Sequence, residues 1–166
     1  MGKKKIPHLE LYYPNWPKKK KVRIQWLILK KSDQGHNMYL IDSNVFLQVL
    51  LKTSEEKEAK KFLDRNKDQI STTLYNLMEV ASVLSRKYKW KKKKITSVLS
   101  TMRDSISIHT PDEYDALEAY EITSEILTTP IDTLMITIAK RKKLALVTYD
   151  SELLSLNKKY CKIVSP

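Results

Sequence analysis

From Met38 onward the chain alternates between two hydrophobic patterns. Short, nearly unbroken apolar runs occur at Tyr39–Ile41, Ile106–Ile108 and Leu144–Val147, with a brief extended piece at Ile70–Ser71 and a last one at Cys161–Val164. Strands of a parallel sheet are covered on both faces and need not alternate, so these runs predict buried strands. Between them, apolar residues recur every three or four positions, the period of a helix with one buried face. Helices are expected from Val45 on, over 54–66 with Ser54 as its cap, from Thr72 or Thr73 to about Lys87, over 90–104, from Pro111–Asp112 to Thr128, over 131–141 and over 151–157. The expected inner faces are Val45, Val49 and Leu50 or Leu51; Ala59, Phe62 and Leu63; Leu74, Leu77, Met78, Ala81 and Leu84; Tyr114, Leu117, Ala119 or Tyr120, and Ile122; and Leu134, Met135, Ile138 and Ala139. Strands alternating with helices predict an α/β sandwich with a mainly parallel central sheet.

Residues 1–37 follow neither pattern. Lysine runs at 3–5 and 18–21 and prolines at 7, 14 and 17 forbid a continuous helix, and only Val22–Leu29 reads as a strand or short apolar element. This segment is expected to be a basic leader, flexible or outside the native protein, with Met38 a natural start for the domain at 38–166. The formal net charge of +12 points to a polyanionic partner, most often nucleic acid. Residues 1–37 hold ten Lys/Arg and two acids, so two-thirds of that excess lies outside the predicted domain. A single cysteine, Cys161, excludes a disulfide framework and a cysteine-based zinc site within one chain, and fits a reducing compartment. Two glycines leave no phosphate-cradling loop. No run matches a membrane span or a signal peptide, so a cytoplasmic location is expected.

The candidate chemistry lies where apolar runs end in acids. Asp42 closes the first run, followed by Ser43, Asn44 and a new helical pattern. Asp150 follows the run at 144–147, Asp132 opens a helix after Pro130, and Glu79 lies on the helix that begins near Thr73. In open α/β sheets, ligands bind outside the carboxyl ends of the strands. Three of the acids also have a structural explanation: Asp132 and Asp150 as helix caps, Glu79 as a solvent-facing partner of Arg86; Asp42, directly after a buried run, is harder to explain so. Together, several carboxylates at one sheet edge repel each other unless protonated or bound to hard divalent cations such as Mg²⁺ or Mn²⁺. Two such ions can activate water, orient a phosphodiester and stabilise the leaving oxygen. Asp42 without an acid two residues later departs from haloacid-dehalogenase-like phosphatases, and the absence of paired acids before the first strand departs from receiver domains.

The motifs Met38–Asn44, Leu77–Val80, Ile131–Ala139 and Leu146–Asp150, in this order and at these gaps, resemble the PIN-domain nucleases, particularly the VapC toxins of VapBC toxin–antitoxin pairs. The resemblance covers residues 38–166. It implies a three-layer α/β/α PIN-like fold and a Mg²⁺- or Mn²⁺-dependent endoribonuclease, using one or two ions, that acts on RNA such as tRNA or rRNA. Carried over, Asp42, Glu79, Asp132 and Asp150 are the catalytic, metal-binding acids, and Asn44 and Thr148 orient them. One of the acids, or a water on the metal, supplies the general base. The resemblance also implies a homodimer and a cognate antitoxin. Residues 1–37 and the lysine run at 91–94 depart from the family pattern. That run reads either as a solvated helix face or, with Arg86, Lys91, Lys92 and Lys93, as an RNA contact. A stand-alone RNA-processing PIN nuclease and a non-catalytic RNA- or protein-binding module are the alternatives.

Overall fold

A computed structural model of the chain describes residues 38–126 and 128–166. The leader at 1–37, including the possible strand at Val22–Leu29, lies outside the described residues. In chain order the elements are β1 (Tyr39–Ile41), α1 (Ser43–Leu51), α2 (Glu56–Arg65), β2 (Ile70–Thr73), α3 (Leu74–Arg86), α4 (Lys92–Ser105), β3 (Ser107–His109), α5 (Glu113–Glu125), α6 (Pro130–Lys142), β4 (Ala145–Val147), α7 (Ser151–Ser155) and β5 (Ile163–Val164). Every strand reaches its neighbour through helical crossovers, and every pairing is parallel, in the order β3-β2-β1-β4-β5. The strand order reverses at β1, so the crevice between β1 and β4 is the topological switch point of the sheet.

Alternation along the central strands divides the core in two. Leu40 and Leu146 pack with Ile122, Met135, Ile136, Ile138 and Leu153 on one face. Ile41 and Val147, one residue on in each strand, pack with Val45, Phe46, Leu77, Leu84, Val98 and Met102 on the other. Helices α1–α4 thus cover one face and α5–α7 the other, giving the three-layer α/β/α sandwich. The registers Leu40↔Leu146 and Ile41↔Val147 keep like-facing side chains opposed, since a slip by one residue would turn both sets to the wrong layer.

Helix ends follow local chemistry. Thr73 caps α3 by accepting from the Asn76 amide, and Asp112 and Asp115 form a reciprocal capping box on α5. Ser54 does not cap α2: its hydroxyl bonds the neighbouring Glu55 carboxylate, and the helix starts at Glu56. Residues 38–166 contain no glycine, and among the described residues the four left-handed backbone positions, at 52, 89, 143 and 158, are all lysines. Two of them terminate α1 and α6, where glycine is the usual choice.

Two expected helix faces are rotated. In α3 the buried stripe is Asn76, Leu77, Val80 and Leu84, which leaves Leu74 and Met78 exposed, Met78 by 60%. The cause is polar: Asn76 turns inward and donates to Ile41 O at 2.9 Å and Thr72 Oγ1 at 3.2 Å. In α5 the buried positions are Asp115, Ala119 and Ile122, while Tyr114, Leu117 and Tyr120 face outward. Here the buried Asp115 sets the rotation by pairing with Arg141 of α6 at 2.8 Å.

Candidate active site

The switch-point crevice holds a hydrogen-bonded cluster built from the ends of β1 and β4. The Asp42 amide continues the ladder by donating to Val147 O at 3.0 Å, and the chain then turns directly into α1. Asp42 occupies the cap position of that helix, yet its side chain makes no capping bond. Instead its Oδ2 accepts from Thr148 Oγ1 at 2.8 Å. That hydroxyl also accepts from Asn44 Nδ2 and from the Asp150 amide, both at 2.9 Å. With its acceptor sites filled by two donors, its one hydrogen is directed at Asp42. Asn44 is oriented in turn, because its Oδ1 accepts from the Tyr149 amide at 3.2 Å.

On the other side of Asp42, Ser43 Oγ lies 3.3 Å from Asp42 Oδ1 and 2.8 Å from Glu79 Oε2. This single hydroxyl ties the strand end to α3 and brings the two carboxylates into one locus. It has one hydrogen for two carboxylate oxygens and cannot satisfy both at once. Asp42 is 7% exposed, whereas Glu79 lies at the solvent-facing surface of α3. Burial pushes the Asp42 carboxyl up from its ordinary 3.8 to about 6; the Thr148 hydroxyl and the Ser43 amide pull it down, and the negative charges of Glu79 and Asp132 add to the rise.

Asp132 sits in the first turn of α6 but does not cap it. Thr129 caps, accepting from the Asp132 amide at 3.3 Å. The Asp132 carboxylate is gripped at Oδ2 by Thr129 Oγ1 at 2.7 Å and Thr128 Oγ1 at 3.1 Å. Asp150 does cap α7, its Oδ1 accepting from the amides of Glu152 at 2.8 Å and Leu153 at 3.1 Å. Its link to the cluster is its own amide on Thr148. His109 ends the edge strand β3, two strands from β1.

As the side chains stand, no group of three or more His, Cys, Asp or Glu among the described residues is arranged to hold a metal ion. The donor chemistry nevertheless fits a small hard cation. Mg²⁺ typically takes one or two protein carboxylates and completes its shell with water and substrate phosphate. The Asp42–Glu79 pair, joined by a hydroxyl that can serve only one of them, supplies two such oxygens and a charge deficit that a proton or a cation makes good.

The family model described as the PIN domain matches residues 39–159. The chain belongs to the PIN-domain family. Among solved structures, the PIN fold here is similar to a toxin–antitoxin complex from Klebsiella pneumoniae, with 22% identity over 76% of this chain and 95% of that one, and a TM-score of 0.59. It is also similar to VapBC2 of Rickettsia felis, solved bound to a promoter DNA fragment (16% identity, 77% and 98% covered, TM-score 0.63), and to VapC20 of Mycobacterium tuberculosis, described as a sarcin-ricin-loop-cleaving toxin (12% identity, 70% and 93% covered, TM-score 0.62). At these identities the likeness is one of fold. No curated protein sequence matches the chain. Among the described residues, no helix of this PIN domain is long and apolar enough to cross a membrane.

Four residues in and beside the cluster escaped the sequence reading. Ser43, which joins Asp42 to Glu79, stands next to Asp42 and was legible as a hydroxyl beside a buried acid. Thr128 and Thr129 fall where the expected helix from Pro111–Asp112 ends, although a threonine pair just before a helix with an acid in its first turn also signals capping. Asn76, buried inside an apolar helical pattern, carries no signal until Ile41 O is seen opposite it.

Proposed function

We propose that this PIN domain is a divalent-metal-dependent endoribonuclease acting at the β1/β4 crevice, most simply the toxin of a toxin–antitoxin pair. The observation that supports this best is the Asp42–Ser43–Glu79 bridge: a buried carboxylate at the sheet's switch point, tied to a second one at the surface and destabilised by a third. Structures that separate such charges by salt bridges need no ligand; here no cation of the chain pairs with Asp42, Glu79 or Asp132 among the described ion pairs. Asp42 and Glu79 would hold the ion, with Asp132 and Asp150 at its margin. When bound, Mg²⁺ or Mn²⁺ supplies Lewis-acid stabilisation of charge developing on the phosphodiester.

The chain's own residues do the rest. Thr148 directs its hydrogen to Asp42 Oδ2 and leaves Oδ1 on the side of Ser43, which reaches Glu79. Asn44 and the Asp150 amide hold Thr148 in that orientation, so the carboxylate is set before substrate arrives. Ser43 keeps Glu79 from swinging into solvent, and the paired threonines fix the Asp132 carboxylate. In the metal-free domain burial pushes the Asp42 carboxyl up to about 6, so a cation taken up there would compete with a proton and bind less well as pH falls toward that value.

The test is cleavage of a panel of tRNA and rRNA fragments with Mg²⁺, with Mn²⁺ and with chelator, for wild type and Asp42→Asn. Metal-dependent cuts that vanish in the variant and with chelator support the reading, and the positions of the cuts separate a toxin from an RNA-processing enzyme. Full activity of a folded Asp42→Asn variant would sink the assignment. RNA binding without cleavage under any metal would favour a non-catalytic binding module.

A further inference from the structure

The domain's positive charge is concentrated in one place. Residues 38–166 carry 21 Lys/Arg against 17 Asp/Glu, and seven of those cations, with no acid among them, fall in Arg86–Lys94. Without that stretch the domain has fourteen cations against seventeen acids and a net negative charge. The stretch is the turn from the end of α3 into α4, and all seven cations are exposed. The ion pairs among the described residues use Lys60, Arg103, Lys140, Arg141 and Lys159, and none from this turn. Two of its lysines lie over aromatic rings instead: Lys94 is 3.2 Å from the Trp90 ring centre, and Lys87 is 5.8 Å from that of Tyr88.

The turn is continuous with the candidate site. Arg86 follows Glu79 by seven residues, which on a helix places it two turns on, along the same face, at about 10 Å. Both are exposed, and no acid lies between them. Like charges clustered at the start of α4, which has no acid in its first turn, oppose the helix dipole and each other. A solvated face gains nothing from that arrangement. Cations flanking an exposed aromatic ring beside a phosphodiester-cleaving centre are the combination that holds single-stranded nucleic acid, with phosphates on the cations and a base on the ring.

We infer that the α3–α4 turn is the substrate-holding surface, taking single-stranded RNA that extends beyond the scissile bond along α3, with phosphates on Arg86, Lys91, Lys92 and Lys93 and a base stacked on Tyr88. This rests on the ribonuclease reading above. A partner chosen for charge alone would not need the ring, and one placed away from α3 would not need Arg86 in line with Glu79.

The experiment measures binding, which separates it from the fate of the nuclease reading. Fluorescence anisotropy of a labelled single-stranded RNA is recorded in chelator across a salt series for the full-length wild type, a Lys91/Lys92/Lys93→Gln triple variant and Tyr88→Ala. A Lys57/Lys61/Lys67→Gln variant carries the same charge change on and after the exposed side of α2. The first triple variant should flatten the slope of log K against log[salt] by about 2, for three lost phosphate contacts on a single strand. Tyr88→Ala should weaken binding by about tenfold with the slope unchanged. The α2 control should retain the wild-type slope. Equal loss in both triple variants would reduce the effect to net charge and overturn the inference. So would an unchanged slope in the Lys91/Lys92/Lys93→Gln protein, or binding of phosphatidylserine vesicles in place of RNA. RNA binding that behaves as described but without cleavage would instead remove the nuclease reading and leave the surface standing.

Discussion

Asp42→Asn should make the metal-free protein more stable, by an amount that depends on pH. The carboxyl titrates near 6 in the folded chain and near 3.8 when unfolded. Between those values the folded state binds more protons, so stability falls as pH rises through the window, and the full penalty is present above it. The difference of the two values corresponds to about 3 kcal/mol at pH 7.5 and shrinks to about 1 kcal/mol at pH 4.5. The asparagine amide suits the cluster: its oxygen can accept from Thr148, and its nitrogen can donate to Ser43 Oγ, which then gives its hydrogen to Glu79 undivided. The assay is urea unfolding of wild type and Asp42→Asn in chelator at the two pH values, with the slope of each transition checked for equality. Adding Mg²⁺ should then stabilise wild type far more than the variant, since only wild type carries the ligand charge. A variant less stable than wild type at pH 7.5 in chelator would refute the reasoning. So would a stability difference that does not change with pH, because it would mean that burial does not strain this carboxylate.

Other perturbations test the supports around it. Thr148→Val removes the donor to Asp42 and leaves the Asn44 side chain and the Asp150 amide without their acceptor, so it should destabilise by roughly 2–4 kcal/mol in urea unfolding. A loss below about 0.5 kcal/mol would show that the hydroxyl is dispensable. Arg141→Met strands the fully buried Asp115 carboxylate and should cost roughly 2–4 kcal/mol, with much of the loss recovered by adding Asp115→Asn; equal instability of the double variant would contradict this. Leu40→Ala empties a position at the centre of the α5–α7 layer and should cost about 3–4 kcal/mol. Lys143→Gly relieves a left-handed backbone at the end of α6 and should stabilise by about 0.5–1 kcal/mol, read as a rise in thermal midpoint.

The layer order of this chain was legible because periodicity reports burial directly. Runs such as Tyr39–Ile41 and Leu144–Val147 are apolar on consecutive residues only if both faces are covered, and every crossover carries a helix-period pattern. That suffices for a parallel α/β sandwich, and the four acids at its expected edge were visible as departures from those runs. Where prediction failed, the cause was a polar residue setting the rotation of a helix. Met78 and Leu74 fit an inner face by spacing, but Asn76 takes the inward position, where its amide donates to Ile41 O and Thr72 Oγ1. Tyr114, Leu117 and Tyr120 are displaced by Asp115, whose partner Arg141 is 26 residues away in sequence.

The sequence by itself therefore determined the element types and the parallel layering, and marked the candidate acids, since hydrophobic period and chain direction are local properties. Only the tertiary structure decided how those acids stand to one another. It placed Ser43 between Asp42 and Glu79, made Thr148 the hydrogen donor to Asp42, and of the two expected caps kept Asp150 while giving the α6 cap to Thr129. The bonds from Ser43 to Glu79 and from Thr148 to Asp42 join residues far apart in the chain. Hydrogen-bond geometry and burial fix them, and neither leaves a periodic trace in the sequence.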